Sequence, residues 1–320
     1  MTDVEGLAQR LAAHPSIRSK LGIARATRAL GLTSQTAGRP GDDAAILPRE
    51  GGYDLLAGEG FIPAFVADDP WFAGWCAVMV NLSDIAAMGG RATAIIDQVW
   101  APDAAAAAPM LAGLRDACAA YGVPLVGGHT NLAAPSIGLA ASVFGRAQKL
   151  ITSFDATPGD LLIAAIDHRG TYRNFDNFCA ALDAPPPRLR ADLALLADLA
   201  EDELVRAGKD ISQGGIVGTA LMLAECSGVG IDIDTTAIRP PKGVDPERWL
   251  RSFPSFGFLL SVPRETANAV CARFAARGID AQAIGRVSEG TAVTLTDGSE
   301  SALFWDYAQA PYLDLGEQDA

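Results

Sequence analysis

The sequence predicts a two-domain α+β protein, with α/β as the neighbouring alternative. Three observations point there. Its 320 residues suit two domains. Its 49% apolar content is ample for packed cores. Short apolar strand-like runs alternate with helix-like runs in both halves.

The elements follow in order. Residues 4 to 31 read as one or two amphipathic helices ending near Gly31. Residues 42–47 and 53–57 read as strands around a turn marked by Pro48, Gly51 and Gly52. Residues 70–88 read as a helix stopped by Gly89-Gly90. A strand at 93–100, an Ala-rich helix at 104–121, and strands at 123–126 and 137–144 complete this half. The polar stretch 153–160, SFDATPGD, is the best boundary, dividing the chain into 1–152 and 153–320. The second half reads as a strand at 161–166, helices at 171–183 and 188–207, and a glycine-rich turn at 213–215. A helix to Cys226, a strand at 229–234, a strand at 256–262, a helix at 264–277 and a strand at 280–287 follow.

Composition narrows the function. Net charge is −13, without a Lys/Arg cluster, which argues against nucleic acid. No apolar run approaches the roughly 20 residues of a membrane span, so no membrane partner is expected. The N-terminus lacks the basic and apolar regions of a signal peptide, so a cytoplasmic location is expected. The five cysteines show no CxxC pair, and three histidines make a zinc cluster a poor reading. No GxxxxGK[ST] loop, GxGxxG turn or kinase HRD/DFG set is present. Any ATP chemistry here would use carboxylates holding magnesium against the phosphates.

Acidic residues cluster where elements begin or end. Gly41-Asp42-Asp43 precedes an apolar strand, and adjacent carboxylates repel unless a cation or donors offset them. A solvated turn is the plainer reading. Glu59 follows the strand YDLLAG and is weak evidence alone. Asn81, Asp84 and Met88 share one face of an otherwise apolar helix, where a charged Asp needs a basic partner or a cation. Asp210-Ile-Ser212-Gln213-Gly214-Gly215 suits a helix start, with Ser212 as a cap and the glycine amides open to a phosphate. Gly127-Gly128-His129-Thr130 closes the strand VPLV in a similar way, His129 being read as structural or functional.

Taken in order and spacing, GDDAAIL, NLSDIAAMGG, GGHT and DISQGG resemble the superfamily of aminoimidazole ribonucleotide (AIR) synthetase. Its relatives include thiamine-monophosphate kinase, selenophosphate synthetase and the hydrogenase-maturation carbamoyl dehydratase. The resemblance spans about Gly41 to Val287. It implies a two-domain PurM-like fold with an N-terminal sheet domain that dimerises and a C-terminal α/β sandwich. It implies ATP and Mg2+ as cofactors and an unidentified small-molecule acceptor. By the kinase pattern, metal ligands fall on Asp43, Glu59, Asp84, His129 and Asp210, with Ser212 near the phosphates. Asp42, Gly41, Asn81, Gly127, Gly128, Thr130, Gly214 and Gly215 complete the expected site, with Asp84 and Asp210 as its catalytic acids.

Departures from the kinase pattern are specific. His129 and Gln213 stand where the kinase has Asp, and residues 254–257 (PSFG) lack its acidic GGEDYE stretch. A dedicated thiamine-phosphate kinase is thereby disfavoured. The expected function is ATP- and magnesium-dependent phosphoryl transfer to a small metabolite. A thiamine-monophosphate kinase and a nucleotide-binding regulatory or assembly protein without turnover are the alternatives. A homodimer is expected, because a small sheet-rich N-terminal half leaves edges to cover.

Overall fold

The computed structural model describes residues 3–36, 39–173 and 175–314. Helices α1 (Val4–Ala13), α2 (Pro15–Arg18) and α3 (Ile23–Ala29) open the chain. Strands β1 (Ala45–Arg49) and β2 (Gly52–Gly60) precede α4 (Pro63–Asp68), α5 (Pro70–Ala87), β3 (Arg91–Trp100) and α6 (Ala104–Tyr121). Strands β4 (Leu125–Asn131), β5 (Gly138–Ala147), β6 (Leu161–Ile166), β7 (Thr171–Tyr172) and β8 (Asn177–Cys179) come next. Then follow α7 (Pro186–Glu201), β9 (Ala207–Asp210), α8 (Gly215–Ser227), β10 (Gly230–Asp234) and α9 (Pro246–Leu250). The chain closes with β11 (Phe253–Pro254), β12 (Gly257–Val262), α10 (Arg264–Ala275), β13 (Asp280–Ser288), β14 (Ala292–Thr296) and β15 (Ser301–Asp306).

Two compact units result, and they do not follow a linear cut at 152/153. One comprises residues 43–150 with 181–201; the other comprises 1–42, 151–180 and 202–320. Helix α7 therefore belongs with the first-half unit, where it packs on helices α5 and α6. Arg91 of β3 forms ion pairs with Asp198 (2.6 Å) and with Glu201 on that helix. The N-terminal helices belong instead with the second-half sheet, where Val4, Leu7, Leu11 and Ile17 enter its core. The reason is amphipathicity: α1 carries a single apolar face and needs a surface to bury it.

In the 43–150 unit the sheet order is β1-β2-β5-β3-β4. Helix α5 lies on this sheet and against α6. A Cβ on Gly74 would overlap the Met110 carbonyl, and one on Gly113 would overlap that of Trp71, so α5 and α6 meet backbone to backbone. Residues 72–87 of α5 are all buried, so this helix is covered all round. Gly89, at φ 71°, ends it as the sequence predicts.

The other unit holds a seven-stranded sheet, β15-β14-β10-β13-β6-β12-β9, and a small sheet β11-β8-β7. The helix expected at 171–183 is absent among the described residues; β7 and β8 stand there and pair antiparallel. Phe178 explains the difference. It is 2% exposed and stacks edge-on against Tyr172 and Trp249, contacts that pin this segment extended. Similarly, the helix expected to reach residue 207 stops at Glu201, and β9 begins at Ala207 beside β12.

Candidate functional site

The predicted residues fall into two groups, one in each unit. In the first, the sheet register sets a row. Glu59 pairs with Ala141, Ala141 with Asp97, and Asp97 with Gly128. Residues directly opposite each other share a face, and Ala141 and Asp97 are buried on the helix-covered one. Two carboxylates thus stand two strands apart, roughly 10 Å by strand spacing, across a floor of Ala and Gly.

Asp97 is a residue the sequence reading missed. It is 6% exposed, and its Oδ2 has no hydrogen-bond partner among the described residues. Burial raises its pKa above the ordinary carboxylate value. On α6, the burial of Cys118 and then the nearby charge of Asp97 push the Cys118 thiol up to about 11. The available signal was an acid in the apolar strand run AIIDQVW. Gly128 is explained by the same carboxylate, because a Cβ there would overlap Asp97 Oδ1.

The Gly127–Thr130 motif does not close a strand. It lies within β4, which runs on to Asn131. His129 is opposite Gln98, one position beyond the Asp97–Gly128 pair, so its side chain takes the other sheet face. Ile96 (41% exposed) and Trp100 (38%) belong to that outer face with Leu56 (48%). The structure therefore separates His129 from the acidic row.

On α5, Asn81 is fully buried and donates from Nδ2 to the Ala77 carbonyl at 2.8 Å. Its Oδ1 has no partner among the described residues. Asp84, one turn further on, is 6% exposed. Ser83, between them, is satisfied by the Met79 carbonyl.

The motif Gly41-Asp42-Asp43 spans the division between the units. Gly41 has φ 115°, and its carbonyl accepts from Lys209 Nζ (3.4 Å) and Cys226 Sγ (3.3 Å). Asp42 Oδ1 accepts from Ser153 N (3.0 Å) and Ser153 Oγ (2.8 Å). Asp42 is thus anchored to the 151–180 segment, whereas Asp43 begins the β1 unit and is half-buried. The two acids are not interchangeable. Lys209, 4% exposed beside Asp210, is a second residue the sequence reading missed. A charge inside the buried strand AGKD was its signal.

Asp210 ends β9 at 4% exposure, opposite Phe258. Ser212 does not cap α8. The cap residue is Gly214, with no side-chain hydrogen bond, and Ser212 contributes its carbonyl to Gly215 N at 2.9 Å. Gly214 and Gly215 take φ 102° and 64°, and a Cβ on Gly215 would overlap the backbone of Arg251. These left-handed glycines leave the first-turn amides of a 13-residue helix without a side-chain acceptor.

Among the described residues, no three His, Cys, Asp or Glu side chains stand together as a ready metal cage. Magnesium does not require one. It keeps several waters and binds through one or two carboxylates plus substrate phosphates. The orphan oxygens of Asp97 and Asn81 are the hard donors it favours.

Residues 41–147 match the AIR synthase related protein, N-terminal domain, and residues 168–298 match the corresponding C-terminal domain. The chain belongs to the AIR synthase related family. It is 49% identical over 275 residues to an uncharacterized protein of Synechocystis sp., covering 85% of each chain. A structure of T. maritima PurL complexed with ATP superposes with a TM-score of 0.70 at 17% identity, over 87% of this chain and 48% of that one. This family member therefore spans about half the length of that PurL. A ThiL structure complexed with AMPPCP and TMP superposes at 0.64 with 20% identity, over 88% and 95%. These likenesses establish the two-domain PurM-like α+β fold. No helix among the described residues is long and apolar enough to cross a membrane.

Proposed function

We propose that the protein binds ATP with magnesium and transfers a phosphoryl group to a small-molecule acceptor. The observation that carries this reading is the set of buried oxygen donors in the 43–150 unit. Asn81 Oδ1 and Asp97 Oδ2 lack partners among the described residues, and Asp84 lies one turn from Asn81 in an otherwise apolar helix. Unsatisfied buried acceptors cost about 1–3 kcal/mol each, so their retention points to a ligand that completes them. The nucleotide complexes of the PurL and ThiL structures support the choice of ATP.

Asp43, Glu59, Asp84 and Asp97 are the proposed carboxylates for magnesium in the 43–150 unit, and Asp210 is the proposed acid of the other unit. Bound magnesium would neutralise phosphate charge as it passes to the acceptor. The Gly214 amide, at the cap of α8, is assigned to a phosphate oxygen; the Gly215 amide already donates to the Ser212 carbonyl. Asp42 is assigned to holding the loop through Ser153. Lys209 holds the Gly41 carbonyl. His129, on the outer face, is left out of the metal set.

A thiamine-monophosphate kinase is the weaker reading. Ser255 stands in the region where the kinase pattern places acids; it is 7% exposed and its Oγ accepts from Ala180 N at 2.8 Å. A thiazolium cation would find no carboxylate there. We also assign the outer face of the β1–β5 sheet to a homodimer, since Leu47, Leu56, Ile96, Trp100 and Val126 are exposed on this sheet.

The test is a thermal melt of wild type and Asp84→Asn, with and without magnesium-ATP. The expected result is equal or higher stability for the variant alone and loss of its ligand-induced shift. A variant that melts lower without ligand yet keeps the full shift makes Asp84 structural and removes the assignment. A metabolite screen for magnesium-dependent ADP release then separates turnover from binding without turnover.

A further inference from the structure

After β15 the chain returns to α8, and its backbone amides converge on one side chain. Tyr312 N and Asp314 N each donate to Glu225 Oε1 at 3.1 Å, and Leu313 N donates to Oε2 at 2.6 Å. Three successive amides around one anion form a nest. Asp314 takes φ 52° to complete it, a left-handed conformation that a non-glycine residue keeps only where its surroundings hold it. Glu225 gains nothing from its own helix. It lies in the last turn of α8, where the macrodipole is negative and a carboxylate is unfavourable. The nest offsets that cost and ties residues 312–314 to the end of α8. The ion pair of Asp314 with Arg28, at 2.8 Å, is exposed and adds little.

Tyr312 carries the connection towards the other end of the helix. It is 1% exposed, and its ring packs edge-on against Trp305 at 5.6 Å. Its hydroxyl donates to the Ile17 carbonyl of α2 at 2.7 Å. Ile17 is itself fully buried. A Cβ on Gly218 would lie 3.0 Å from Ile17 Cδ1 and 3.9 Å from the Tyr312 hydroxyl, and one on Gly214 would lie 3.4 Å from the same Cδ1. The glycines at 214 and 218 thus let α2 rest directly on the first turn of α8. That turn has no side-chain cap, and Gly214 takes φ 102°, one of many conformations open to glycine. Its shape is therefore set by what packs on it.

We propose that the 312–314 segment is a latch that fixes the start of α8. Glu225 closes it, Tyr312 carries it to α2, and Ile17 presses α2 onto the glycine turn. Glu225 and Tyr312 are then positioning residues for the Gly214 amide; this second clause rests on the assignment of that amide to a phosphate oxygen, and the latch itself does not. The coupling is mechanical rather than Coulombic. Glu225 lies about 16 Å along the helix from Gly214, and charges are screened beyond about 8 Å at physiological ionic strength.

Amide exchange in the full chain, read residue by residue by NMR without nucleotide or magnesium, tests the latch. The reporter is Gly218 N–H, which donates to the Gly214 carbonyl at 3.1 Å and closes the first turn of α8. Tyr312→Phe keeps the ring and removes only the hydroxyl. Glu225→Gln keeps the shape and removes the charge that three amides share. Each is expected to speed Gly218 exchange about fivefold, the worth of one hydrogen bond. Ser261→Ala removes a different buried hydroxyl of the same unit, one that donates to Asp160 at 2.7 Å, and should leave Gly218 exchange unchanged. Unchanged exchange in both latch variants overturns the proposal. So does an equal rise in Ser261→Ala, which would mean general loosening. If Glu225→Gln does not fold, Tyr312→Phe decides alone. Calorimetry with magnesium-ATP tests the second clause: the latch variants should bind about fivefold more weakly than wild type. Equal binding by wild type and variants overturns their role in positioning the Gly214 amide. A wild type that binds no magnesium-ATP, while Gly218 exchange responds as expected, removes the phosphoryl-transfer reading and leaves the latch standing.

Discussion

Asp97→Asn probes the acidic row most directly. The carboxylate is 6% exposed, one oxygen lacks a partner among the described residues, and burial raises its pKa. An unsatisfied buried acceptor costs about 1–3 kcal/mol, more when charged. Removing the charge while keeping the shape should therefore stabilise the ligand-free protein at pH 7.5 by roughly 1–2 kcal/mol. At about 2–4 °C per kcal/mol, that is a rise of about 2–8 °C. A group whose folded pKa lies above its unfolded value is least favourable at high pH. The cost is full above the raised folded pKa and disappears below the ordinary value of 3.8. The gap between variant and wild type should then close as pH falls from 7.5 towards 4. Ligand should reverse the order. Magnesium-ATP at a hundred times its Kd stabilises wild type by about 2.7 kcal/mol, and a hundredfold loss of affinity removes nearly all of it. Calorimetric melts at several pH values, with and without magnesium-ATP, measure both effects. A variant that melts lower than wild type without ligand, or gains the full ligand shift, refutes the assignment.

Other outcomes follow from the same geometry. Gly128→Ala should destabilise by about 1–3 kcal/mol, because the added methyl overlaps Asp97 Oδ1; chemical denaturation checks this. Gly215→Ala should cost at least as much, since φ 64° and the Arg251 backbone both oppose a Cβ, and it should also weaken nucleotide binding measured by calorimetry. Light scattering at micromolar concentration should show twice the 33.2 kDa chain mass, and Ile96→Arg should return a folded monomer; a wild-type monomer would remove the dimer. Thiamine phosphate should turn over far below the typical enzyme rate of about 10 per second, measured by coupled ADP release, because Ser255 is engaged with Ala180 and no acid replaces it.

Much of this architecture was legible from local pattern. Strand β6 occupies the residues read for it, and α5 and α6 fall within a residue of theirs, because a continuous apolar run and a glycine stop are local signals. The GDD, NLSD and DISQGG motifs were likewise readable as positions where charge is costly and so needs a reason. What the sequence could not decide was direction and company. Gly127-Gly128 looks like a turn in one dimension, yet sits mid-strand because Asp97 of the neighbouring strand occupies the space a side chain would need. The same pairing turns His129 to the outer face. Ser212 reads as a cap, but two left-handed glycines take over the start of α8 beside Arg251. Asp42 and Asp43 are adjacent in sequence but belong to different compact units, and Ser153, 111 residues away, holds the first. Composition and periodicity report what each residue prefers for itself; the partner across a strand or from a distant segment is set only when the chain packs, and that partner decides which carboxylates are anchored and which remain for a ligand.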